Sequence, residues 1–360
     1  MSRMNDKERL VATIQELLAI PSPTFHEQAI CDFIVKRLQK TQPTQCIQDE
    51  HGIIAHYRSH KELPTLAFVG HTDVVPEFFE PRIDGSKLHG AGASDMKAGL
   101  GACLYIVEEH LSELLERFNI VFIVYNREEG TALKENGLYS LLKENETLLK
   151  MIDCAIVAEP TDNAIQLGCM GSLHVMVSIE GKESHSARPW NGDNALYKAL
   201  PLLQYIAAQD PVVHSIDELT FTEVMTVTEC NVPEGRTTIP GTCDININYR
   251  FSPKRTEEEA YLVIEKKLRA LKIEGLSLEI RDSVPSGQII RSAISDEIMT
   301  KLGCNIEAKQ AWTDVAQLSS CGIPCFNFGP GQQTQAHKDN EYVDIESIYD
   351  YYHHIMKLVL

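Results

Sequence analysis

Residues 119–130 read NIVFIVYNREEG: an almost unbroken apolar run rich in valine and isoleucine that ends abruptly in Arg127-Glu128-Glu129-Gly130. Such a run is the pattern of a strand covered on both faces, as in the parallel sheet of an α/β protein. The pattern recurs at residues 151–160, MIDCAIVAEP, which ends in Glu159-Pro160, and at residues 65–70, TLAFVG, which runs straight into His71-Thr72-Asp73. Between these runs the spacing of apolar residues is helical. Residues 6–19 (DKERLVATIQELLA) form one such segment, stopped by Pro21-Ser22-Pro23; residues 27–39 form a second, and residues 96–117 a long third with a glycine-rich first turn. Strands alternating with helices predict an α/β layer architecture with a largely parallel sheet.

The pattern changes near Gly168. LHVMVSIEG reads as a strand, NALYKALPLLQYIAAQ as a helix, TEVMTVTECN and TTIPGTCDININYRFSP as strands, TEEEAYLVIEKKLRALK as a helix and LSLEIRDSVP as a strand. That order, β-α-β-β-α-β, is the split βαβ arrangement of ferredoxin-like domains. After Ser286 the first pattern resumes. The expected fold is therefore an α/β domain built from residues 1–167 and 286–360, with a ferredoxin-like α+β domain, residues 168–285, inserted between its halves.

Length agrees, since 360 residues exceed the usual size of one domain. Lys plus Arg number 33 against 51 Asp plus Glu, a formal charge of −18. So acidic a surface repels phosphate backbones and anionic lipid, so neither nucleic acid nor membrane is expected as a partner. No apolar run approaches the roughly 20 residues of a membrane span. The opening MSRMNDKERL lacks the pattern of a signal peptide. A cytoplasmic chain is expected. Of ten cysteines, Cys31, Cys103 and Cys154 lie in apolar periodic segments and read as small buried hydrophobes rather than as parts of a disulfide framework.

The chemistry is written where the strands end. His71 and Asp73 follow one strand, Glu128 and Glu129 a second, Glu159 a third; Asp95 closes the loop HGAGASD and opens a helix, and His337 follows the apolar FNFGPG. In open α/β sheets ligands bind beyond the carboxyl ends of the strands. Imidazoles and carboxylates without thiolates form the donor set of zinc, cobalt or manganese. A ligating imidazole needs its second ring nitrogen held by an acceptor, a role that suits Asp73 beside His71. Adjacent Glu128 and Glu129 point opposite ways from an extended chain end, so one can ligate while the other serves as general base. GAGASDMKAG is no dinucleotide loop: its third glycine is misplaced, and Asp95 would sit where pyrophosphate charge belongs.

FVGHTDVVP, GAGASDMKAG, REEG, AEPTD and AHKDNEYV, in this order, resemble the signatures of the M20 family of di-zinc hydrolases, from about Pro21 to the C-terminus. Within that family, GCMGSLHVMVSIEGKESHSARPWNGDNALYKA, NYRFSP and AWTDVAQLSSCGIPCFNFGPG are similar to the succinyl-diaminopimelate desuccinylases of the Gram-positive type. The resemblance implies a zinc-exopeptidase-like catalytic domain and two Zn2+ ions, replaceable by Co2+ or Mn2+. His71, Asp95 and Glu159 would hold one ion and Glu129 and His337 the other, with Asp95 bridging. It further implies Asp73 as orienter of His71 and Glu128 as the base that deprotonates a metal-bridging water. The inserted domain would form a homodimer and close over the substrate, and His185 would reach the partner subunit's active site as an oxyanion donor.

The implied reaction is hydrolysis of N-succinyl-LL-2,6-diaminopimelate to succinate and LL-2,6-diaminopimelate, a step of lysine and cell-wall precursor synthesis. Deacylation of another N-acyl amino acid, such as acetylornithine, and metallo-exopeptidase action are the alternatives within the class. For a small-molecule substrate with several carboxylates, Arg188 and Arg250 are the candidate guanidinium partners and Thr313 a hydroxyl donor. The chain departs from the commoner desuccinylase pattern where Gly168-Cys169-Met170-Gly171-Ser172 stands for Gly-Arg-Arg-Gly-Ser, and where Thr237-Thr238-Ile239-Pro240 stands for Asn-Val-Ile-Pro. Both departures bear on the acyl group.

Overall fold

The computed structural model describes residues 5–75 and 77–359. Residues 1–4 and 360, which the expected domain bounds include, and Pro76, which closes FVGHTDVVP, lie outside the described residues. The chain forms two compact units, one of residues 1–167, 288–307 and 313–360, the other of residues 168–287 and 308–312. Residues 308–312, expected in the catalytic domain, thus group with the second unit; Trp312 donates its indole N–H to the Pro285 carbonyl (3.0 Å) within it.

The first unit is built on an eight-stranded sheet, in spatial order 45–48, 52–57, 119–125, 65–71, 154–157, 325–327, 165–167 and 306–308. Only its centre is parallel: Thr65–His71 pairs in parallel with Asn119–Tyr125 and Cys154–Val157, which in turn pairs in parallel with Cys325–Asn327. Antiparallel pairs flank that centre. The sheet is thus mixed rather than largely parallel, since the short link from 48 to 52 permits only a hairpin. The central strands are buried almost throughout, as their continuous Val, Ile, Phe and Leu content requires.

Register decides where the chemistry lies. His71 stands opposite Tyr125, and Val69 opposite Val157. Three parallel strands therefore end side by side, and residues 72–73, 126–129 and 158–159 leave the sheet at one end.

The helices start and stop where capping allows. Asp6–Leu18 begins with a capping box between Asn5 and Glu8. The long helix expected over 96–117 is two: Lys97–Glu109 ends at His110 (φ −125°, ψ 20°), and Leu111–Leu115 follows. The His110 ring is tied down by a hydrogen bond between Nε2 and the Tyr352 hydroxyl (2.9 Å) and lies edge-on to Tyr105. Among the described residues no helix is long and apolar enough to cross a membrane, and no disulfide forms; Cys31, Cys103 and Cys154 are buried.

The second unit is a five-stranded antiparallel sheet, in order 212–216, 219–231, 242–251, 171–180 and 276–284, with helices Ala195–Ala207 and Glu257–Arg269 packed on Leu173, Val175, Val177, Ile245, Ile247 and their neighbours. Four strands take the ferredoxin-like order. The fifth, Val212–Ile216, absent from the sequence reading, adds an edge through a tight hairpin at Asp217 and Glu218, both at positive φ.

Gly99 lets the Lys97–Glu109 helix reach the turn that carries Glu159. A Cβ there would lie 2.2 Å from the Ala158 carbonyl oxygen. Gly→Ala inside a helix ordinarily stabilises by about 0.5–1 kcal/mol. At Gly99 the clash, worth about 1–3 kcal/mol, reverses the sign. Urea unfolding of Gly99→Ala should show a lower midpoint; a raised midpoint would mean that this helix does not sit so close to the turn.

Candidate metal centre

His71, at the end of its strand, is buried, and its ring is held from both sides. Nδ1 lies 3.0 Å from the Asp73 backbone carbonyl and 3.4 Å from Asp73 Oδ1; Nε2 lies 3.3 Å from Asp95 Oδ1 and 4.0 Å from Glu159 Oε1. The carbonyl acceptor leaves Nε2 as the nitrogen that faces the carboxylates.

Asp73 does more than the sequence suggested. Fully buried, its carboxylate accepts the backbone N–H of Glu128 at Oδ1 (3.0 Å) and that of Glu129 at Oδ2 (2.9 Å), while the Thr24 hydroxyl donates to Oδ2 (3.1 Å). One carboxylate therefore touches the His71 ring and fixes the two glutamates on the neighbouring strand end. Glu27 adds a second anchor by accepting the N–H of Arg127 (3.1 Å), which sits in the left-handed region at φ 59°.

Glu129 and His337 complete the group. His337 Nε2 lies 3.0 Å from Glu129 Oε1 and 3.6 Å from Asp95 Oδ2. Asp95 thus turns one oxygen toward each histidine. Ligand atoms of His71, Asp95 and Glu129 all lie within 4.8 Å of one another. Glu159, buried at its strand end, is on the His71 side. Among the described residues no lysine or arginine forms an ion pair with Asp95 or Glu129.

The electrostatics follow from this crowding. Burial lowers the His71 pKa, but hydrogen bonds to Asp73 and Asp95 outweigh it and hold the imidazole well above its usual range. Asp95 and Glu129 lift His337 to about 10. Burial pushes Glu128 well above the ordinary carboxylate range, against the opposing pull of His71, and the charges of Glu129, Asp314 and Glu159 push it further. Asp314, unnoticed in the sequence reading, is fully buried and accepts from the Tyr125 hydroxyl (2.5 Å) and the Asn136 amide (3.2 Å). Oxygen and nitrogen donors gathered in this way fit a zinc-, cobalt- or manganese-type ion.

The other expected site residues are placed as follows. Thr313, buried, lies in the first unit next to Asp314. His185, Arg188 and Arg250 belong to the second unit. His185, exposed, pairs with Thr238 in a two-stranded ribbon and accepts the Ala187 N–H at Nδ1 (3.1 Å); Arg188, exposed, accepts the Ser184 hydroxyl at its carbonyl (2.8 Å). Arg250 lies on the polar face of the sheet, donating from Nε to Asn248 Oδ1 (3.0 Å), and burial lowers its pKa.

The chain belongs to peptidase family M20/M25/M40, whose pattern it matches over residues 67–360. It is accordingly an amide-bond hydrolase of that family. It is 31% identical to a succinyl-diaminopimelate desuccinylase of Corynebacterium glutamicum over 350 residues, covering 94% of this chain and 93% of that one. Its fold matches that of a tripeptidase from Staphylococcus aureus with a TM-score of 0.79 at 19% identity, over 99% of this chain and 98% of the other. It also matches a dinuclear metal-binding peptidase of the M20 family from Bacillus subtilis, with a TM-score of 0.68 at 16% identity over 98% and 97% of the two chains.

Asp73→Asn tests the grip on the glutamates. The amide keeps one acceptor oxygen and turns a donor toward the second N–H. Loss of a hydrogen bond to a charged group costs about 1.5–3 kcal/mol, so one of the Glu128 and Glu129 amides should exchange with solvent roughly 10–100 times faster. Unchanged protection would show that Asp73 does not hold them.

Proposed function

We propose that this protein is a di-zinc amidohydrolase that removes the succinyl group from N-succinyl-LL-2,6-diaminopimelate. The observation that carries the two-ion part is the Asp95 carboxylate, with one oxygen toward His71 and the other toward His337. His71, Asp95 and Glu159 would hold one ion, and Asp95, Glu129 and His337 the second. When bound, the ions would supply Lewis acidity toward the scissile carbonyl and favour deprotonation of the attacking water.

The chain's own groups do the rest. Among the described residues the Glu128 carboxyl has no hydrogen bond or ion pair, while its backbone is fixed by Asp73. It takes the proton of the attacking water as oxygen adds to the carbonyl carbon, and returns it to the amine nitrogen as the C–N bond breaks. We assign His185 to the developing oxyanion. Arg188, Arg250 and Thr313 are assigned to substrate carboxylates on the basis of their chemistry.

The succinyl assignment is supported by the extent of similarity to the C. glutamicum enzyme. A role in lysine and diaminopimelate synthesis, a cytoplasmic location and a homodimer formed through the second unit belong to the same reading. One observation favours a second: Cys169 and Met170 are buried apolar side chains where an arginine would serve a succinyl carboxylate, which suits a different acyl group such as that of acetylornithine.

Two measurements decide. Glu128→Gln should lower kcat about 10²–10⁴-fold with metal content unchanged, as expected for loss of a general base; retained kcat would remove Glu128 from that role. In a panel of N-succinyl-LL-diaminopimelate, N-acetylornithine and a dipeptide, turnover of the succinyl compound alone, abolished by a chelator, is expected. Turnover of N-acetylornithine instead would establish the second reading.

A further inference from the structure

Glu341 lies four residues beyond His337, in QAHKDNEY, and is completely buried. Its carboxylate lies beneath the loop that carries Asp95. Oε1 accepts the backbone N–H groups of Ser94 (2.7 Å) and Asp95 (2.8 Å), and Oε2 that of Gly92 (2.9 Å). The Glu341 carbonyl also accepts the Gly90 N–H (3.2 Å). Ser94 seals the junction, donating its hydroxyl to the Tyr342 carbonyl (2.9 Å) and accepting the Gln332 N–H (3.3 Å).

Three N–H groups converge on one carboxylate only because the loop folds tightly. Gly92 makes that fold possible: it stands at φ 82°, and a Cβ there would lie 2.5 Å from Val74 Cγ1. A buried carboxylate that accepts several backbone N–H groups is a strong and directional anchor.

We propose that Glu341 is the positioning residue for Asp95. It grips the Asp95 backbone at the N–H itself, which leaves only the side-chain torsions free. That restraint is what allows the two oxygens of one short carboxylate to lie 3.3 Å from His71 Nε2 and 3.6 Å from His337 Nε2 at once. Because Glu341 belongs to the same segment as His337, it also ties that histidine's segment to the Asp95 loop. The inference rests on the proposal above that Asp95 is shared between two ions. It adds a signature that general destabilisation lacks: loosening Asp95 weakens both ions together, whereas loss of Glu159 or Glu129 weakens one.

The test is equilibrium zinc binding, by competition with a chromophoric chelator, and the visible spectrum of the cobalt-loaded protein. Both are recorded on wild type, Glu341→Gln, Glu159→Gln and Glu129→Gln, each shown to be folded by circular dichroism. The Glu341→Gln amide turns a donor toward one of the three N–H groups. Loss of an outer partner of a metal ligand typically costs about 10–100-fold in affinity, and a loss of that size at both sites, with altered cobalt bands, is expected. Unchanged affinity, or weakening at one site only, would overturn the inference. Wild type that binds fewer than two ions would instead overturn the reading on which it rests. Should Glu341→Gln not fold, Glu341→Asp, one methylene shorter and unable to reach all three donors, carries the same expectations.

Discussion

The grip of the Asp73 carboxylate on the N–H groups of Glu128 and Glu129 is the interaction on which the rest of the site depends. It joins the end of one central strand to the end of its parallel neighbour. Without it, two adjacent glutamates on a turn would be free to exchange roles. With it, Glu129 reaches His337 while the Glu128 side chain makes no hydrogen bond within the described residues. The same Asp73 holds the His71 ring, so the residue beside a candidate ligand also sets the orientation of the candidate base.

This concentration of carboxylates is costly in a buried place. Asp73, Asp95, Glu129, Glu159 and Asp314 all lie within or against the first unit's core. Burial first, and repulsion among neighbouring carboxylates second, push Glu128 and Glu129 upward, while hydrogen bonds to these carboxylates raise His71 and His337. Backbone N–H groups and two imidazoles offset part of that cost. A pair of divalent cations would offset much more, which is why the donor set reads as one made for metal.

Much of this was legible in the sequence because strand ends are abrupt. The run NIVFIVYN stops at three charged residues, Arg127-Glu128-Glu129, and TLAFVG runs into His71; both places are where parallel pairing brings side chains together. What escaped notice depends on geometry that no spacing encodes. Glu341 sits within a quoted signature, but its importance lies in three N–H groups on a loop some 250 residues earlier in the chain. Asp314 and Tyr125 likewise meet across 189 residues. The Val212–Ile216 edge strand was lost because its turn, Asp217-Glu218, contains neither glycine nor asparagine, the usual sign of positive φ. The helix break falls at His110, whose ring contacts Tyr352, far along the chain. Antiparallel flanks were missed because a buried strand has the same composition whichever way its neighbour runs.

Anomalous X-ray diffraction from zinc-loaded crystals tests the central claim most directly. Two anomalous peaks about 3.5–4 Å apart are predicted, with Asp95 contributing one oxygen to each. One should be flanked by His71 and Glu159, and the other by Glu129 and His337. A single peak, or two peaks that share no carboxylate of Asp95, would contradict the account.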